Sequence, residues 1–307
     1  MSNIVRNSLI ASLCMFILGI LLIVIGCISG GLSLAKNLVT EGVDKLGIVN
    51  PHFIIPFGVD DMSFSLSFGG LDSDYEIYSG DTELTNMFSM DEVSNLQMDF
   101  AAGTVTIEES ENEYYALSGS GSGKYQFYEE DGTVYVNAVA TGTEACHITL
   151  YIPRGEILEQ AEFNFAAGEV EGRTMLQTDI LKIASGAGIV NFSEVSANEL
   201  ECEVGAGDFS FDSATVKDCT FEVAAGKVCY TGIINGDVDV SCAAGDISLV
   251  LGGDKEAFNY DVSFAMGSVS IGDYEMDGLA QDYLFSNGAD KNMVLEAAMG
   301  NIEVIFE

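Results

Sequence analysis

The sequence predicts an all-β fold: a single-stack β-solenoid with coils of 19–20 residues, preceded by one N-terminal transmembrane helix. A motif of two small residues and a glycine recurs with spacings of 20, 19, 19 and 19 residues from Gly168 to Gly245, then 22 and 33. Apolar and polar residues alternate on both sides of each glycine. A fixed period of about 20 residues is typical of a solenoid, in which each coil packs only on its neighbours.

The N-terminal element is an uncharged apolar run of 20 residues from Leu9 to Ile28. At ~1.5 Å per residue this run crosses a ~30 Å hydrocarbon layer, whereas a signal-peptide core has only about 7–15 apolar residues. No small-residue cleavage site follows, so we expect an uncleaved, single-pass membrane anchor. The segment from Val24 to Cys27 resembles a lipoprotein processing box, which leaves an alternative open: lipidation of Cys27 and removal of the helix.

The orientation of the anchor depends on few charges. Arg6 precedes the run, and Lys36 and Lys45 follow it. With so few basic residues on either side, the positive-inside rule does not indicate which end of the helix lies in the cytoplasm. The short N-terminal tail is typical of a signal anchor, and we expect the C-terminal domain outside the cytoplasm. The predicted organisation is a tail and anchor (1–31), a juxtamembrane linker and irregular approach (32–92, irregular from Met62 to Met90) and the solenoid (93–307).

The repeat predicts which residues face the core. Positions five and three before each glycine, and two and four after it, are apolar, while the positions between them are mostly polar. This alternation predicts two short strands per coil, each with one buried face, paired in parallel with the next coil ~4.8 Å away. Glycine suits the corner because it adopts backbone angles denied to other residues and leaves room for the next coil. The corner glycines are Gly103, Gly168, Gly188, Gly205-Ala206-Gly207, Gly226, Gly245, Gly267 and Gly300.

Three segments interrupt the repeat. Lys124–Tyr128 and Thr133–Asn137 alternate around an acidic Asp-Gly turn, which predicts a β-hairpin. His147–Ile152 predicts a strand ended by Pro153, with the isoleucines and leucine inward and the histidine outward. Between Gly272 and Asn292 we expect a longer loop.

The composition excludes some functions and indicates no catalytic site. The chain has 11 Lys+Arg against 48 Asp+Glu and a net charge of −37, which argues against binding nucleic acid or anionic lipid headgroups. Its two histidines and seven cysteines show neither a catalytic arrangement nor zinc spacing. We therefore predict no catalytic, cofactor-binding or metal-ligating residues. Cys202, Cys219 and Cys242 are interpreted as buried thiols, and the outward Cys229 as the most reactive.

Acidic residues are predicted to form rows on the outer faces. If the coils stack in register, Glu203 and Glu222 become neighbours, with Glu201 and Asp239 nearby. Like charges ~4.8 Å apart repel by about 1 kcal/mol or less in water, so screening by salt can offset them. Bound Ca²⁺, which prefers several oxygen ligands, is the alternative, although the chain has no Ca²⁺-loop motif. A second group is expected beyond the corner: Glu169, Glu171, Asp208 and Asp246.

Five sequence features carry a family resemblance: VSNLQMDFAAGTVTI, YQFYEEDGTVYV, ITLYIPRG, the AAGxV coils and the terminal AAMGNIEVIF. In these features, from about Val93 to Phe306, the chain resembles bacterial proteins with a DUF4097 domain, often labelled "putative adhesins". The resemblance implies a β-solenoid-like envelope protein, often with one N-terminal hydrophobic helix and without agreed catalytic residues.

We therefore expect a non-enzymatic, membrane-anchored surface or structural module that contacts envelope proteins or glycans. The alternative is an enzyme that uses surface carboxylates to act on envelope polysaccharide. The short coils argue against it, because they leave little chain for loops that would wall a groove.

Overall fold

The structure, a computed structural model, describes residues 52–56, 63–67, 70–140 and 146–307. Within these ranges the chain is all-β, with two short 3-10 helices at Met90–Glu92 and Lys255–Ala257, so the predicted class is confirmed. The predicted anchor at Leu9–Ile28 and the processing box at Cys27 lie outside the described residues. Among the residues described, no helix has the length and apolar character needed to cross a membrane.

The strands divide into two sheets. β1 and β2 form an antiparallel pair of their own, and the other eighteen described strands form one continuous sheet. The strands are β1 (His52–Pro56), β2 (Ser63–Ser67), β3 (Tyr78–Ser79), β4 (Thr82–Ser89), β5 (Asn95–Ser110), β6 (Tyr114–Gly121), β7 (Gly123–Glu130), β8 (Thr133–Ala140), β9 (Cys146–Pro153), β10 (Ile157–Val204), β11 (Asp208–Val223), β12 (Lys227–Ile234), β13 (Val238–Cys242), β14 (Asp246–Leu251), β15 (Phe258–Phe264), β16 (Ser268–Ile271), β17 (Tyr274–Asp277), β18 (Gln281–Phe285), β19 (Lys291–Ala297) and β20 (Asn301–Phe306).

Successive coils pair in parallel with a constant register. Val190 lies opposite Phe209, which lies opposite Val228, and Val228 lies opposite Ile247. This is the register obtained by aligning the sequence on its glycines, and every residue predicted to face inward is buried. In β10 the strand continues through the corners for 48 residues, so the prediction of two separate strands per coil is wrong there.

The corner glycines are required mainly because adjacent coils approach closely. A Cβ atom on Gly188 would lie 2.5 Å from the carbonyl oxygen of Gly168 in the neighbouring coil. The other corner glycines from Gly168 onward face the corresponding carbonyl in the same way. A positive φ occurs only at two described corners, Gly103 (+147°) and Gly168 (+154°). Space, rather than an unusual backbone angle, therefore explains most of the motif.

The stacking order differs from the chain order at both ends. At the C-terminal end, β19 and β20 are inserted between β13/β14 and β15/β16. At the N-terminal end, β5 is inserted between β8/β9 and β10. The irregular spacings at the two ends of the repeat, including the 33 residues before Gly300, reflect these insertions.

Antiparallel strands finish both ends of the stack. β6 and β7 pair antiparallel with β9 and β8, through the predicted hairpin, whose turn residues Asp131 and Gly132 have φ of +50° and +78°. β17 and β18 pair antiparallel with β16 and β15. The expected loop from Gly272 to Asn292 therefore contains two strands, and that prediction is wrong. Aspartates and glycines break the alternation there, so the strands depend on the sheet edge beside them.

A further layer covers only the N-terminal end. β4 pairs antiparallel with β6, and β3 pairs antiparallel with β7. The prediction of an irregular segment from Met62 to Met90 is therefore wrong, since β3 and β4 lie within it. The charged and polar residues of TELTNMFS concealed this strand, because only one of its faces packs on the protein.

Candidate functional site

The most distinctive outer surface is a cluster of carboxylates on three central strands, which we call the acidic face. Within it, Glu203 lies directly opposite Glu222, as predicted. In the next outward-facing row, Thr220 lies between Glu201 and Asp239. Glu201 and Asp239 are therefore also close to Glu203 and Glu222. The acidic face comprises Glu199, Glu201 and Glu203 on β10, Asp218 and Glu222 on β11, and Asp237 and Asp239 on and next to β13.

Glu203 is the electrostatically most strained member of the acidic face. Its Oε2 is buried and has no hydrogen-bond partner. Burial, and then repulsion from Glu222 and Glu201, raise the pKa of Glu203 to about 7. Burial also raises the pKa of Glu222 and of Asp239. A carboxyl in this position takes up a proton near neutral pH, because two ionised groups on adjacent strands repel where water is partly excluded.

Three other carboxylates of the acidic face, those of Glu201, Asp218 and Asp237, have partners within the chain. Lys182 forms an ion pair with Glu201 at 2.5 Å. The Asp218 carboxylate accepts a hydrogen bond from the Asp237 backbone N–H at 2.9 Å, and the Asp237 carboxylate accepts one from the Asn292 N–H at 2.7 Å. These bonds tie successive coils together, so Asp218 and Asp237 have a structural role.

The described residues show no group of three or more His, Cys, Asp or Glu side chains arranged to hold a metal ion. Beyond the corner, Lys227 lies between Asp208 and Asp246 in the register. The Glu171 carboxylate pairs with Arg173 at 2.8 Å. The expectation that acidic residues gather there is therefore wrong in part, since basic side chains interrupt the row.

Asp99 occupies an outer position but is buried, with 6% of its surface exposed. Its carboxylate accepts hydrogen bonds from Gln97 Nε2 at 2.9 Å and from Asn164 Nδ2 at 3.0 Å. In the same row, the segment around Asp72 lies over Gln126, whose side chain bonds the backbone of Asp72. The prediction that Asp99 faces solvent is wrong, because the neighbouring polar side chains of Gln97 and Asn164 contact its carboxylate.

A second buried carboxyl, Glu156, lies in the link between β9 and β10. Burial, and then the charge of Asp91, raise its pKa to about 7. The hydroxyl of Tyr115 is its polar neighbour, and burial also raises the pKa of that phenol. No sequence pattern indicates this pair, since Glu156 lies outside the repeat and no alternation assigns its side chain to the interior.

The cysteine and histidine positions agree with the predictions. Cys202, Cys219 and Cys242 are buried, whereas Cys229 is partly exposed. Burial raises the pKa of Cys242 to about 11 and that of Cys202 well above its usual value, so both thiols stay protonated at neutral pH. His147 is exposed. The reactivity of Cys229 stays a prediction.

The fold and this surface define the class of the protein: an all-β protein of stacked, parallel coils with an acidic outer face. The family model described as Toastrack DUF4097 matches residues 93–272 and 163–304. The chain belongs to this family, as the sequence resemblance indicated. The curated proteins contain no match to the chain.

The solved structures that match the chain share little sequence with it. A putative cell adhesion protein from Clostridium sporogenes is 12% identical, covers 74% of this chain and 100% of its own, and has a TM-score of 0.31. A putative adhesin from Bacteroides fragilis is 14% identical, covers 77% and 100%, and has a TM-score of 0.38. A putative lipid binding protein from Parabacteroides distasonis is 12% identical, covers 75% and 97%, and has a TM-score of 0.42.

Proposed function

We propose that the chain is a membrane-anchored bacterial envelope protein whose β-solenoid serves as a non-enzymatic, adhesin-like interaction or structural module. The observation that supports this proposal is the constant register of the coils. It aligns outward side chains of successive coils in rows, as where Glu203 lies opposite Glu222. A rigid surface of this kind can contact an extended protein or glycan at several points, because its side chains are already held in place.

The anchor is the first part of the proposal to test. Deleting residues 1–31 should move the protein from the membrane fraction to the soluble fraction and leave a cooperatively melting β-rich domain. Full-length protein recovered in the soluble fraction would contradict the anchor. Mass spectrometry that finds a mature chain starting at a lipidated Cys27 would favour the lipoprotein alternative.

The interaction role is tested by cross-linking in the native membrane. A tagged full-length chain should capture specific envelope proteins or glycans after cross-linking and purification. A variant with Glu199, Glu203 and Glu222 changed to glutamine serves as the comparison, because it keeps the register and removes charge from the acidic face. If wild-type chain captures nothing beyond what an unrelated single-pass protein captures, the interaction role is wrong.

One observation favours the enzymatic alternative, in which surface carboxylates act on envelope polysaccharide. Glu203 has a pKa raised to about 7 beside an acidic neighbour on the next strand, and a protonated carboxyl next to an ionised one is the arrangement that glycoside hydrolysis uses. Incubating purified envelope polysaccharide with wild-type chain and with Glu203→Gln distinguishes the two proposals. Release of new reducing ends by wild type alone would favour the enzyme.

A further inference from the structure

The C-terminal end of the stack exposes two strand edges that have no partner among the described residues. β17 pairs only with β16, and β18 pairs only with β15 and through it with the sheet. The outer edge of each strand therefore presents backbone N–H and C=O groups without a strand beside them. An open strand edge is a template for the addition of another extended segment.

Large apolar side chains are exposed on the same end. Leu284 on β18 is 78% exposed, Leu279 in the turn before it is 73% exposed, and Tyr274 on β17 is 51% exposed. These are among the largest apolar exposures in the described part of the chain. Leucine side chains left in water next to an unpaired edge are a cost to the isolated molecule, and an added segment would bury them.

The other end of the same molecule shows the geometry of such an added segment. There β7 and β6 occupy the positions of β18 and β17, and the segment from Tyr78 to Ser89 pairs with both: β3 with two residues of β7, and β4 along most of β6. Gly80, with φ of +72°, turns the chain between the two strands. The covering segment also packs aromatic rings on the end strands, since Tyr78 stacks on Tyr125 with ring centroids 5.9 Å apart.

Charge identifies the occupant of the C-terminal edges. Residues 272–290 contain five acidic and no basic residues. One of the five, Asp273, pairs with Lys255, whereas Glu275, Asp277 and Asp282 are exposed and without an ion pair in the described residues. A second copy of this edge would bring acidic strands together, which disfavours self-pairing. A segment with basic side chains complements the same edge.

We propose that the C-terminal end binds an extended segment of another protein, in which basic and apolar side chains alternate, added as a strand along β17 and β18. Main-chain hydrogen bonds to the open edges supply affinity, and Glu275, Asp277 and Asp282 select its basic side chains. Leu284 lies on the same face of β18 as Asp282, so it packs on the methylene stems of these basic side chains. This inference deepens the proposed interaction role and rests on it.

The test measures binding of the full-length chain, in detergent micelles at physiological ionic strength, to a fluorescein-labelled peptide. The peptide has about twelve residues of alternating lysine and valine with a glycine near its centre, to match the reach of a two-strand segment. A second peptide carries proline at alternate valine positions, so it keeps the charge and loses the N–H groups that pair with a strand. Anisotropy reports binding, and hydrogen exchange reports protection of the β17 and β18 amides.

Two triple variants separate the edge from general attraction to an acidic protein. Changing Glu275, Asp277 and Asp282 to lysine should weaken binding of the lysine-valine peptide by about tenfold or more. The matched variant changes three exposed acids of the central coils and should weaken binding by less than about threefold, through long-range charge alone. These three residues are Glu169, Glu194 and Asp208.

The inference is supported if the lysine-valine peptide binds, the proline peptide does not, and binding protects the β17 and β18 amides. It is overturned if no peptide binds, if both peptides bind equally, or if the two triple variants lose binding to the same extent. Self-association that protects β18 without peptide would assign the edge to a second copy instead. If the edge variant still captures the envelope partners of wild type, the interaction role stands and only this edge is wrong.

Discussion

At the N-terminal end of the stack β5 is inserted one layer inside β8 and β9, and at the C-terminal end β19 and β20 are inserted one layer inside β15 and β16. In both places two antiparallel strands form the next layer outward, β6 and β7 or β17 and β18. The same arrangement of strands therefore occurs at both ends, but the inserted strand comes first in the chain at the N-terminal end and the inserted strands come last at the C-terminal end. Antiparallel pairing ends the parallel ladder in each case, so no further parallel coil continues it.

The difference between the ends is the layer outside these strands. At the N-terminal end β4 pairs along most of β6 and β3 with two residues of β7, whereas no described strand pairs with the outer edges of β17 and β18. The uncovered strands carry exposed acidic residues, a common protection against edge-to-edge aggregation. An exposed leucine also lies on β18 (Leu284) and another in the turn before it (Leu279), and protection against aggregation does not require either. The two ends therefore differ: strands pair with the N-terminal end, whereas the C-terminal end has unpaired strand edges whose acidic side chains repel a second copy and attract a basic partner.

The largest expected effect on stability comes from a substitution in the hydrophobic core of the central coils, which connect the two ends. Val228 is fully buried between Phe209 and Ile247, so Val228→Asp places an unpaired charge among apolar side chains at a cost of several kcal/mol. We expect the variant to lose its cooperative thermal transition. Cys229→Asp is the control, because Cys229 is the next residue and is partly exposed. This variant should melt at a temperature close to that of the wild type. If both variants melt like wild type, the inward assignment is wrong.

The insertion of β19 next to β13 can be tested by disulfide cross-linking. Ser241 lies opposite Glu296, whereas stacking in chain order would place Ser241 next to Ser263. The double variant Ser241→Cys with Glu296→Cys should form a disulfide under mild oxidation, as peptide mass spectrometry would show. Ser241→Cys with Ser263→Cys should not. The opposite result would mean that the coils follow chain order and that the two ends are not equivalent.

A smaller effect is expected from pH in the central coils, where the charge density is high. The pKa of Glu203 is about 7 in the folded chain and 4.5 in its reference state. The folded state therefore binds this proton more tightly, and the stability contributed by Glu203 falls as pH rises from about 4.5 to about 7. We expect Glu203→Gln to stabilise the protein by about 1 kcal/mol at pH 8 and hardly at all at pH 5.

Glu201→Gln provides the comparison for this variant, because it removes the ion pair with Lys182 and should bring no gain at pH 8. Urea denaturation at the two pH values measures both variants. An equal or lower stability of Glu203→Gln at pH 8 would show that Glu203 is not strained. Part of the pH dependence should persist in the variant, since Glu156 also has a pKa of about 7.

The smallest expected effect concerns cations. Monovalent salt should raise the melting temperature, because it screens repulsion on the acidic face. Sub-millimolar Ca²⁺ at constant high NaCl should add no further shift, since the described carboxylates form no group able to hold a metal ion. Thermal melts with and without Ca²⁺ check both statements. A reproducible increase with Ca²⁺ would require a site-bound ion.

Sequence reasoning recovered the repeated part of the fold because each coil carries the same physical constraints. Alternation assigns Phe163, Ile183 and Cys202 to one buried row, and the glycine that cannot accept a Cβ fixes the register. The same logic placed Glu203 opposite Glu222, which is the main part of the candidate site. Its raised pKa follows from burial, which alternation alone does not measure.

What the sequence did not predict is determined by contacts between distant segments. Asp99 is buried, and its carboxylate accepts a hydrogen bond from Asn164, which lies 65 residues later in the chain. β17 and β18 are short and are flanked by glycine-containing turns, so they become strands only where β16 and β15 offer edges. The position of β19 between β13 and β15 depends on a chain reversal that leaves no periodic mark in the sequence.

Hydrogen exchange at the two ends tests the difference between them most directly. In the full-length chain at low concentration, amides of β6, and those of Lys124 and Tyr125 in β7, should exchange slowly, because strands pair with them on both sides. In β17 and β18, the alternate amides that face outward should exchange much faster, while those bonded to β16 and β15 stay protected. Equal, slow exchange of all amides in the four strands would contradict an open C-terminal end.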